Sequence, residues 1–399
     1  MGDRHFLFLQ GFPGPSLRLI ARELENHGQA VSRINLNGGD LLDWRGGGDN
    51  FKGKLGDFAE WLEALIDRKG ITDLVLFGGQ RPHHRIAAQV TVPRELNLHV
   101  LDEGLIRPGS VALESSRLGR LWRPPSSLED CVRRSGQNPV PSEPILFGES
   151  FLRRGRDASK YWAFATLALP FFRHYKTHRI HTPAQELFLW PRRFSRRRKE
   201  RSASRSELDR LGDSPFFLFP LQLDGDSQLV HRSGFVDMTG AVREILQDFA
   251  ENAPPTTNIL VKRHPYDPAS TNWRSVVGEL ASGLGIAQRQ FYVEMADLDH
   301  LLERCEGVVT VNSSTGVRAL AMGKPVKPLG AAHYAIEGLA DMRALADFWN
   351  APRRPREGAY ETFLSAMWSD CLVGGGFHSS KGLRTLAREA TTKMLEVRA

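Results

Sequence analysis

TTNILVKRHPYDPAS at 256–270 and GVVTVNSSTGVRALAMGKP at 307–325 decide how this chain is read. The apolar run 258–261 predicts a buried strand, and it ends in Lys262-Arg263-His264-Pro265. A second apolar strand, 307–311, ends in Asn312-Ser313-Ser314-Thr315-Gly316, with helical spacing over 317–322. In an open α/β sheet, ligands collect beyond the carboxyl ends of the strands. Hydroxyls and N–H groups at the start of a helix favour anions. Lys262, His264 and the Ser313-Ser314-Thr315 triplet at two strand ends therefore point to a phosphate-bearing ligand. The reference pKa of a histidine lies near neutrality, which suits His264 to protonate a leaving oxygen. The plain alternatives are a turn at Pro265 and an N-cap at Ser313 with no ligand. The two clusters together favour the ligand.

Working outward, strand and helix alternate on both sides. Strands are expected at 216–219, 290–293 and 323–328, and helices at 238–250, 273–284, 297–304, 361–372 and 382–398. The first half opens with a strand at 4–10, the turn Gly11-Phe12-Pro13-Gly14-Pro15, and a helix from the cap Ser16 to the stop Gly28. Strands at 31–36, 73–77 and 97–101 follow, with an amphipathic helix over 51–68 and another starting near 86. Such β-α-β order gives parallel sheets joined by right-handed crossovers. At 399 residues two domains are expected. The expectation is an α/β chain of the GT-B glycosyltransferase architecture, two doubly wound Rossmann-like domains facing a cleft. Residues 1–210 would be the acceptor-side domain ending in a basic linker, 211–345 the sugar-nucleotide domain, and 346–399 terminal helices.

The strand at 97–101 runs into Asp102-Glu103-Gly104 and then Leu105-Ile106-Arg107-Pro108. Two acids at a strand's carboxyl end stand where a catalytic carboxylate is commonly placed. Alternation sends only one of them into the cleft. The turn after the first strand is not G-x-G-x-x-G, so it gives little support to a dinucleotide site. Its glycines suit either close backbone approach to a ligand or ordinary tight turns.

Hydrophobic content of 41% and charged content of 25% are those of a soluble protein. The first residues lack a signal-peptide pattern, and no stretch reaches the roughly 18 apolar residues that span a bilayer. Cys131, Cys305 and Cys371 have no metal-ligand spacing and suggest a reducing compartment, hence the cytoplasm. The net charge of +7 is concentrated in 192–205, read as a solvated linker or a seat on anionic lipid headgroups. No nucleic-acid motif accompanies it. Residues 108–150 read as long Pro- and Ser-rich surface loops. The aromatic and basic stretch 161–179 is either a buried helix with a basic last turn or a helix lying at a membrane interface.

The motifs as a set resemble a known family. They are Leu9-Gln10-Gly11-x-x-Gly14-Pro15, Ile34-Asn35-x-Asn37-Gly38-Gly39-Asp40, Glu103-Gly104-x-Ile106-Arg107-Pro108 and Pro220-Leu221-Gln222-x-x-x-Asp226-Ser227-Gln228. Lys262-x-His264-Pro265, Val309-Thr310-Val311-Asn312-Ser313-x-x-Gly316 and Gly323-Lys324-Pro325-Val326-Lys327 complete it. The pattern is similar to the capsule polysaccharide biosynthesis proteins of the KpsS/LipB type, bacterial Kdo transferases. Bacterial sialyltransferases share its acid-acid-Gly, His-Pro and Ser/Thr elements.

The resemblance implies that Asp102 or Glu103 supplies the catalytic carboxylate. His264 would touch the CMP phosphate or assist its departure, Lys262 would neutralise charge, and Pro265 beside them would contact the substrate. Ser313, Ser314 and Thr315 would hold the phosphate, while Gln222, Asp226, Gly11, Gly14, Asn37 and Arg107 would make further substrate contacts. The reaction implied moves Kdo from CMP-β-Kdo to a (lyso)phosphatidylglycerol acceptor with retention, at the cytoplasmic face of the inner membrane. No cofactor or metal beyond the donor substrate is expected, and other capsule biosynthesis or export proteins are possible partners. The rivals are a transferase using CMP-sialate or a UDP-sugar, and a non-catalytic lipid-binding or scaffold component of an export complex.

Overall fold

Alternation along the first strand sets the plan of the amino-terminal half. Phe6 and Phe8 go to one face of the sheet and Leu7 and Leu9 to the other, so helices must cover both. The computed structural model describes residues 4–397 apart from 46, 105, 107–108, 118–121, 137–146, 149, 178–182, 224–232 and 268–269, with side chains described for all of these but 151 and 183–194.

In chain order the first half runs β1 (His5–Phe8), α1 (Ser16–Asn26), β2 (Ala30–Asn35), α2 (Gly38–Trp44), β3 (Asp49–Asn50), α3 (Phe58–Lys69), β4 (Asp73–Phe77) and α4 (Pro82–Thr91). Then come β5 (Asn97–Glu103), β6 (Ser110–Ser116), α5 (Leu128–Arg134) and α6 (Phe151–Leu167). The second half runs α7 (Pro183–Leu211), β7 (Phe216–Pro220), α8 (Met238–Asn252), β8 (Asn258–Lys262), α9 (Trp273–Gly283) and β9 (Gln290–Val293). It continues with α10 (Leu298–Arg304), β10 (Gly307–Thr310), α11 (Ser314–Ala321), β11 (Val326–Pro328), α12 (Leu345–Asn350) and α13 (Ala359–Asp370). The chain closes with β12 (Leu372–Gly374) and α14 (Ser380–Glu396).

The chain divides into two compact α/β units, as the GT-B reading requires: residues 1–123, 135–178 and 367–399, and residues 124–134 and 179–366. Unit 1 holds a seven-stranded sheet ordered β12-β6-β5-β4-β1-β2-β3. Strands β1 to β5 are mutually parallel, and β6 is antiparallel to both β5 and β12. One face packs Phe6, Phe8, Val75 and Leu101 against α1 and α14, and the other packs Leu7, Leu74 and Leu76 against α3 and α4. Unit 2 holds a five-stranded sheet, β11-β10-β7-β8-β9, with every pairing parallel. Phe217, Phe219, Ile259, Val261 and Val309 meet Val242, Leu246, Phe249 and Trp273 from α8 and α9 there.

Three expectations are corrected. The stretch 192–210 is no linker; it belongs to α7, which contains no glycine and, after Pro191, no proline. Arg, Lys, Glu, Leu and Ala there are good helix formers. The charges at 196–199 stay exposed, while Arg263 makes two hydrogen bonds to Glu200, at 3.0 and 2.6 Å, and Ser204 accepts the N–H groups of Glu294 and Met295. The region 108–150 is not all loop: Ser110–Ser116 is a largely buried strand paired to β5, hidden in the sequence by its serines. The carboxyl terminus is not a separate tier, because β12 adds to β6 and α14 packs on α1 within unit 1.

The Arg263–Glu200 pair is nearly solvent-free. Removing one partner of such a pair leaves a buried charge uncompensated. Arg263→Ala should lower unfolding stability by about 3 kcal/mol, read as a shift in urea midpoint; an unchanged midpoint contradicts this account of α7.

Candidate functional site

All five strands of unit 2 run the same way, so they deliver their carboxyl ends to one edge. The chain proceeds from β7 to β8 and β9 on one side, then places β10 and β11 on the other. The switch point therefore lies between β7 and β10, where open α/β sheets take their ligands. Lys262 ends β8 and Ser313 follows β10, the two strands flanking β7 at roughly 10 Å from each other.

Lys262 is buried, and that burial, helped by the charge of Arg263, pushes its ammonium pKa down against the pull of Asp297. Arg263 turns the other way, to Glu200. His264 Nδ1 accepts the Tyr266 N–H at 3.1 Å, so in the neutral ring the proton sits on Nε2. The Asp267 N–H donates to His264 O at 3.1 Å, closing the turn on which Pro265 stands exposed. Asp267 is itself fixed by the Trp273 indole at 2.9 Å.

At β10, Ser313 caps α11: its Oγ accepts the Thr315 N–H at 3.2 Å and donates to Thr315 Oγ1 at 3.2 Å. The Ser313 N–H donates to Thr310 Oγ1 at 3.2 Å, and the Tyr334 hydroxyl donates to Ser313 O at 2.6 Å. A side chain at Gly316 would lie 2.3 Å from that hydroxyl, so glycine is required. Ser314 is exposed in the first turn, and Ser313 and Thr315 are half-buried beside it. Hydroxyls, helix N–H groups, an ammonium and an Nε2–H thus occupy one sheet edge.

Gln222 has a different task from the one expected. It is buried, its Nε2 donates to Asn312 Oδ1 at 2.8 Å, and its Oε1 accepts the Asn312 N–H at 3.1 Å. This reciprocal pair ties the ends of β7 and β10 together and occupies the carboxamide. Asp226 and Arg107 lie outside the described residues.

In unit 1, Asp102 and Glu103 end β5 on opposite faces. Asp102 Oδ1 accepts the Glu103 N–H at 2.7 Å, and its charge acts on half-buried Arg81. Glu103 instead pairs with Arg154 of α6 at 3.5 Å and lines a recess with Ser110, His378 and Ser379. Only Glu103 of the two acids lines it.

Gly11, Gly14 and Asn37, expected as substrate contacts, serve packing. A Cβ on Gly11 would lie 2.8 Å from Leu17 Cδ1. Gly14, at φ 124°, donates its N–H to Asp43 at 2.7 Å. Asn37 is buried: its Oδ1 caps α2 through the Gly39 and Asp40 N–H groups, and its Nδ2 donates to the Tyr161 hydroxyl at 3.0 Å. That hydroxyl donates to Asp40 at 3.0 Å and accepts from Gln10 at 2.7 Å, while Asp40 binds Arg33 at 3.0 Å. Gly39 leaves room for the Tyr161 ring, which a Cβ would meet at 2.6 Å. The network fastens α6 to α2, so 161–167 is a docked helix whose Tyr161 and Ala165 are buried.

Sequence reasoning missed His378 and Arg154. The signal for His378 was the run Gly374-Gly375-Gly376-Phe377-His378-Ser379 before a helix, a glycine turn leading to a Ser cap. Arg154 carried no signal, because its pairing with Glu103 spans 51 positions.

Among known proteins, the family described as capsule polysaccharide biosynthesis protein matches residues 72–378. The chain is 27% identical over 372 residues to the Escherichia coli capsule polysaccharide export protein KpsS, covering 91% of this chain and 94% of that one. It is 28% identical over 388 residues to the Neisseria meningitidis serogroup A capsule polysaccharide modification protein LipB, covering 94% and 92%. Among solved structures it is similar to Thermosulfurimonas dismutans KpsC, beta Kdo 2,7 transferase, at 17% identity and a TM-score of 0.49, covering 100% of both chains.

Asp43, which holds the Gly14 turn, has its carboxyl pKa pushed up to about 7, first by burial and then by Asp40 and Asp157, against the Gly14 N–H and Arg33. A carboxyl raised on folding contributes stability at low pH that is lost as pH rises through about 7. Asp43→Asn should remove a pH-dependent loss on the order of 2 kcal/mol between pH 5 and 8. Urea unfolding at the two pH values checks it; identical pH dependence in variant and wild type contradicts it.

Proposed function

The chain belongs to the capsule polysaccharide biosynthesis protein family, and from that premise we propose that it is a retaining glycosyltransferase. In this reading it moves Kdo from CMP-β-Kdo to a (lyso)phosphatidylglycerol acceptor and so begins the poly-Kdo linker of a capsular polysaccharide. The observation that carries the reading is the set Lys262, His264 and Ser313–Thr315 on the two strand ends flanking the switch point of unit 2. It has the donors and charge a nucleotide phosphate needs.

Each group then has a role. The Ser313, Ser314 and Thr315 hydroxyls and the first N–H groups of α11 hold the phosphate. Lys262 offsets its charge, and His264 Nε2–H meets the departing oxygen, stabilising charge that develops as the bond to C2 of the sugar breaks. Glu103, from the recess of unit 1, attacks C2 to give a glycosyl-enzyme, which the acceptor hydroxyl displaces; two inversions give retention.

A membrane-surface acceptor is supported by the far end of α6. Phe164, Leu167, Leu169 and Phe171 are exposed together, Leu167 at 76% and Phe171 at 50%. Lys52 stands 3.4 Å from the centroid of the Phe171 ring, and Arg173 and Lys176 are exposed beside it. An apolar tip ringed by cations suits an anionic bilayer, where each cation near the surface contributes about 1 kcal/mol. Among the described residues no helix is long and apolar enough to cross a membrane.

With CMP-Kdo and lyso-phosphatidylglycerol, mass spectrometry should find the acceptor plus Kdo, and Glu103→Gln and His264→Ala should each slow transfer by roughly 100-fold or more. No product from any CMP-sugar, or full activity in Glu103→Gln, contradicts the reading. Separately, a Leu167→Ser/Phe171→Ser variant should lose sedimentation with phosphatidylglycerol vesicles while still glycosylating a short-chain soluble acceptor; unchanged sedimentation contradicts the tip's role.

A further inference from the structure

The recess beside Glu103 holds more chemistry than the proposed reaction has yet used. It opens at the carboxyl end of β5, next to β6 and β12, and its walls include Glu103, Arg154, Gly376, His378 and Ser379. Arg154, 3.5 Å from Glu103, also stands over the Phe12 ring at 5.8 Å. Phe12, Phe77 and Phe377 form an aromatic wall with centroids 5.3 to 5.5 Å apart. His378 is buried edge-on to Phe12 at 5.4 Å. A carboxylate, a guanidinium and an imidazole therefore converge on one recess with an apolar back.

The turn that carries His378 is built to hold one shape. Gly375 has φ 148°, and a Cβ there would lie 2.6 to 2.9 Å from Leu386 atoms of α14. Its N–H donates to Gly109 O at 3.1 Å, and the Gly376 N–H donates to Gly382 O at 3.2 Å. Ser379 Oγ accepts the Gly382 N–H at 3.0 Å, capping α14. The turn is thus anchored before His378 by β12 on β6 and after it by the cap. Such anchoring keeps an acid–base group at a fixed distance from its partner.

We propose that His378 is a further catalytic residue, the base that takes the proton of the acceptor hydroxyl in this recess; the proposal rests on the reading that sugar transfer passes through Glu103. A hydroxyl is a weak nucleophile until a base removes its proton as the new bond forms, and imidazole is matched to that task near neutral pH. In the second half-reaction the hydroxyl oxygen bonds to C2 of the sugar. The C2–O bond to Glu103 breaks and its electron pair returns to the carboxylate, which Arg154 steadies. The hydroxyl proton passes to His378 and from there to solvent. His264 serves the departure of CMP and His378 the arrival of the acceptor, so each half of the reaction has its own histidine.

The test is single-turnover kinetics with intact-protein mass spectrometry on the full chain, using CMP-Kdo with and without lyso-phosphatidylglycerol. His378→Gln, similar in size and able to hydrogen-bond, should release one equivalent of CMP at the wild-type rate. It should accumulate a protein heavier by one Kdo on the peptide containing Glu103, and transfer to acceptor roughly 100-fold more slowly. His378→Ala should behave alike and regain part of its transfer rate when imidazole is added. Transfer by His378→Gln within threefold of wild type overturns the proposal. So does a variant with wild-type melting behaviour that neither releases CMP nor carries sugar. A wild-type chain that transfers no Kdo refutes the donor reading and this proposal together, whereas an active wild type with an unaffected variant refutes His378 alone.

Discussion

A parallel strand imposes two constraints at once: its side chains alternate between faces, and it leaves the sheet at the same edge as its neighbours. Most of the architecture follows from these. Strands covered by helices on both faces must be apolar along their length, as the burial of Phe216 through Pro220 and of Leu74 through Phe77 shows. Their carboxyl ends are then the places where polar groups gather without disturbing the core. Alternation at those ends decides which groups share a side. It separates Arg263, fixed to α7, from Lys262, and Glu103, in its recess, from Asp102 beside Arg81.

Polar residues at strand ends do two different jobs, and the residue types alone do not tell them apart. Gln222 with Asn312, and Asn37 with Tyr161, are buried pairs in which the Gln222 and Asn37 amides both donate and accept. An unmade hydrogen bond at such a site costs about 1 to 3 kcal/mol, which is reason enough for these side chains. Ser314 and Thr315 differ because they stand exposed or half-buried in the first turn of α11. His264 is likewise half-buried, its Nδ1 engaged by the turn that Pro265 shapes.

What the sequence made legible follows the range of the interaction involved. Strands and amphipathic helices depend on neighbours a few positions away, so the apolar runs and the two doubly wound units could be read directly. Lys262, His264 and the Ser313 cap lie within short motifs and were legible for the same reason. Contacts across long separations were not. Nothing near Asn37 announces Tyr161, 124 positions on, and nothing near Gln222 announces Asn312, 90 positions on. The serine-rich β6 was hidden because its partner β5 supplies the reason for its burial. The basic helix α7 read as a linker because Glu200 and Ser204, which anchor it, find their partners more than 60 positions away. The return of the last helix to unit 1 depends on α1, at the other end of the chain.

The account stands on the carboxyl edge of unit 2 being a seat for a cytidylate phosphate. Titration calorimetry with CMP measures this without requiring turnover or an acceptor. It should give one site per chain, weakened at least tenfold by Lys262→Ala and by Ser313→Ala and left unchanged by Glu103→Gln. CMP affinity that is indifferent to Lys262→Ala and Ser313→Ala would contradict the account at its base.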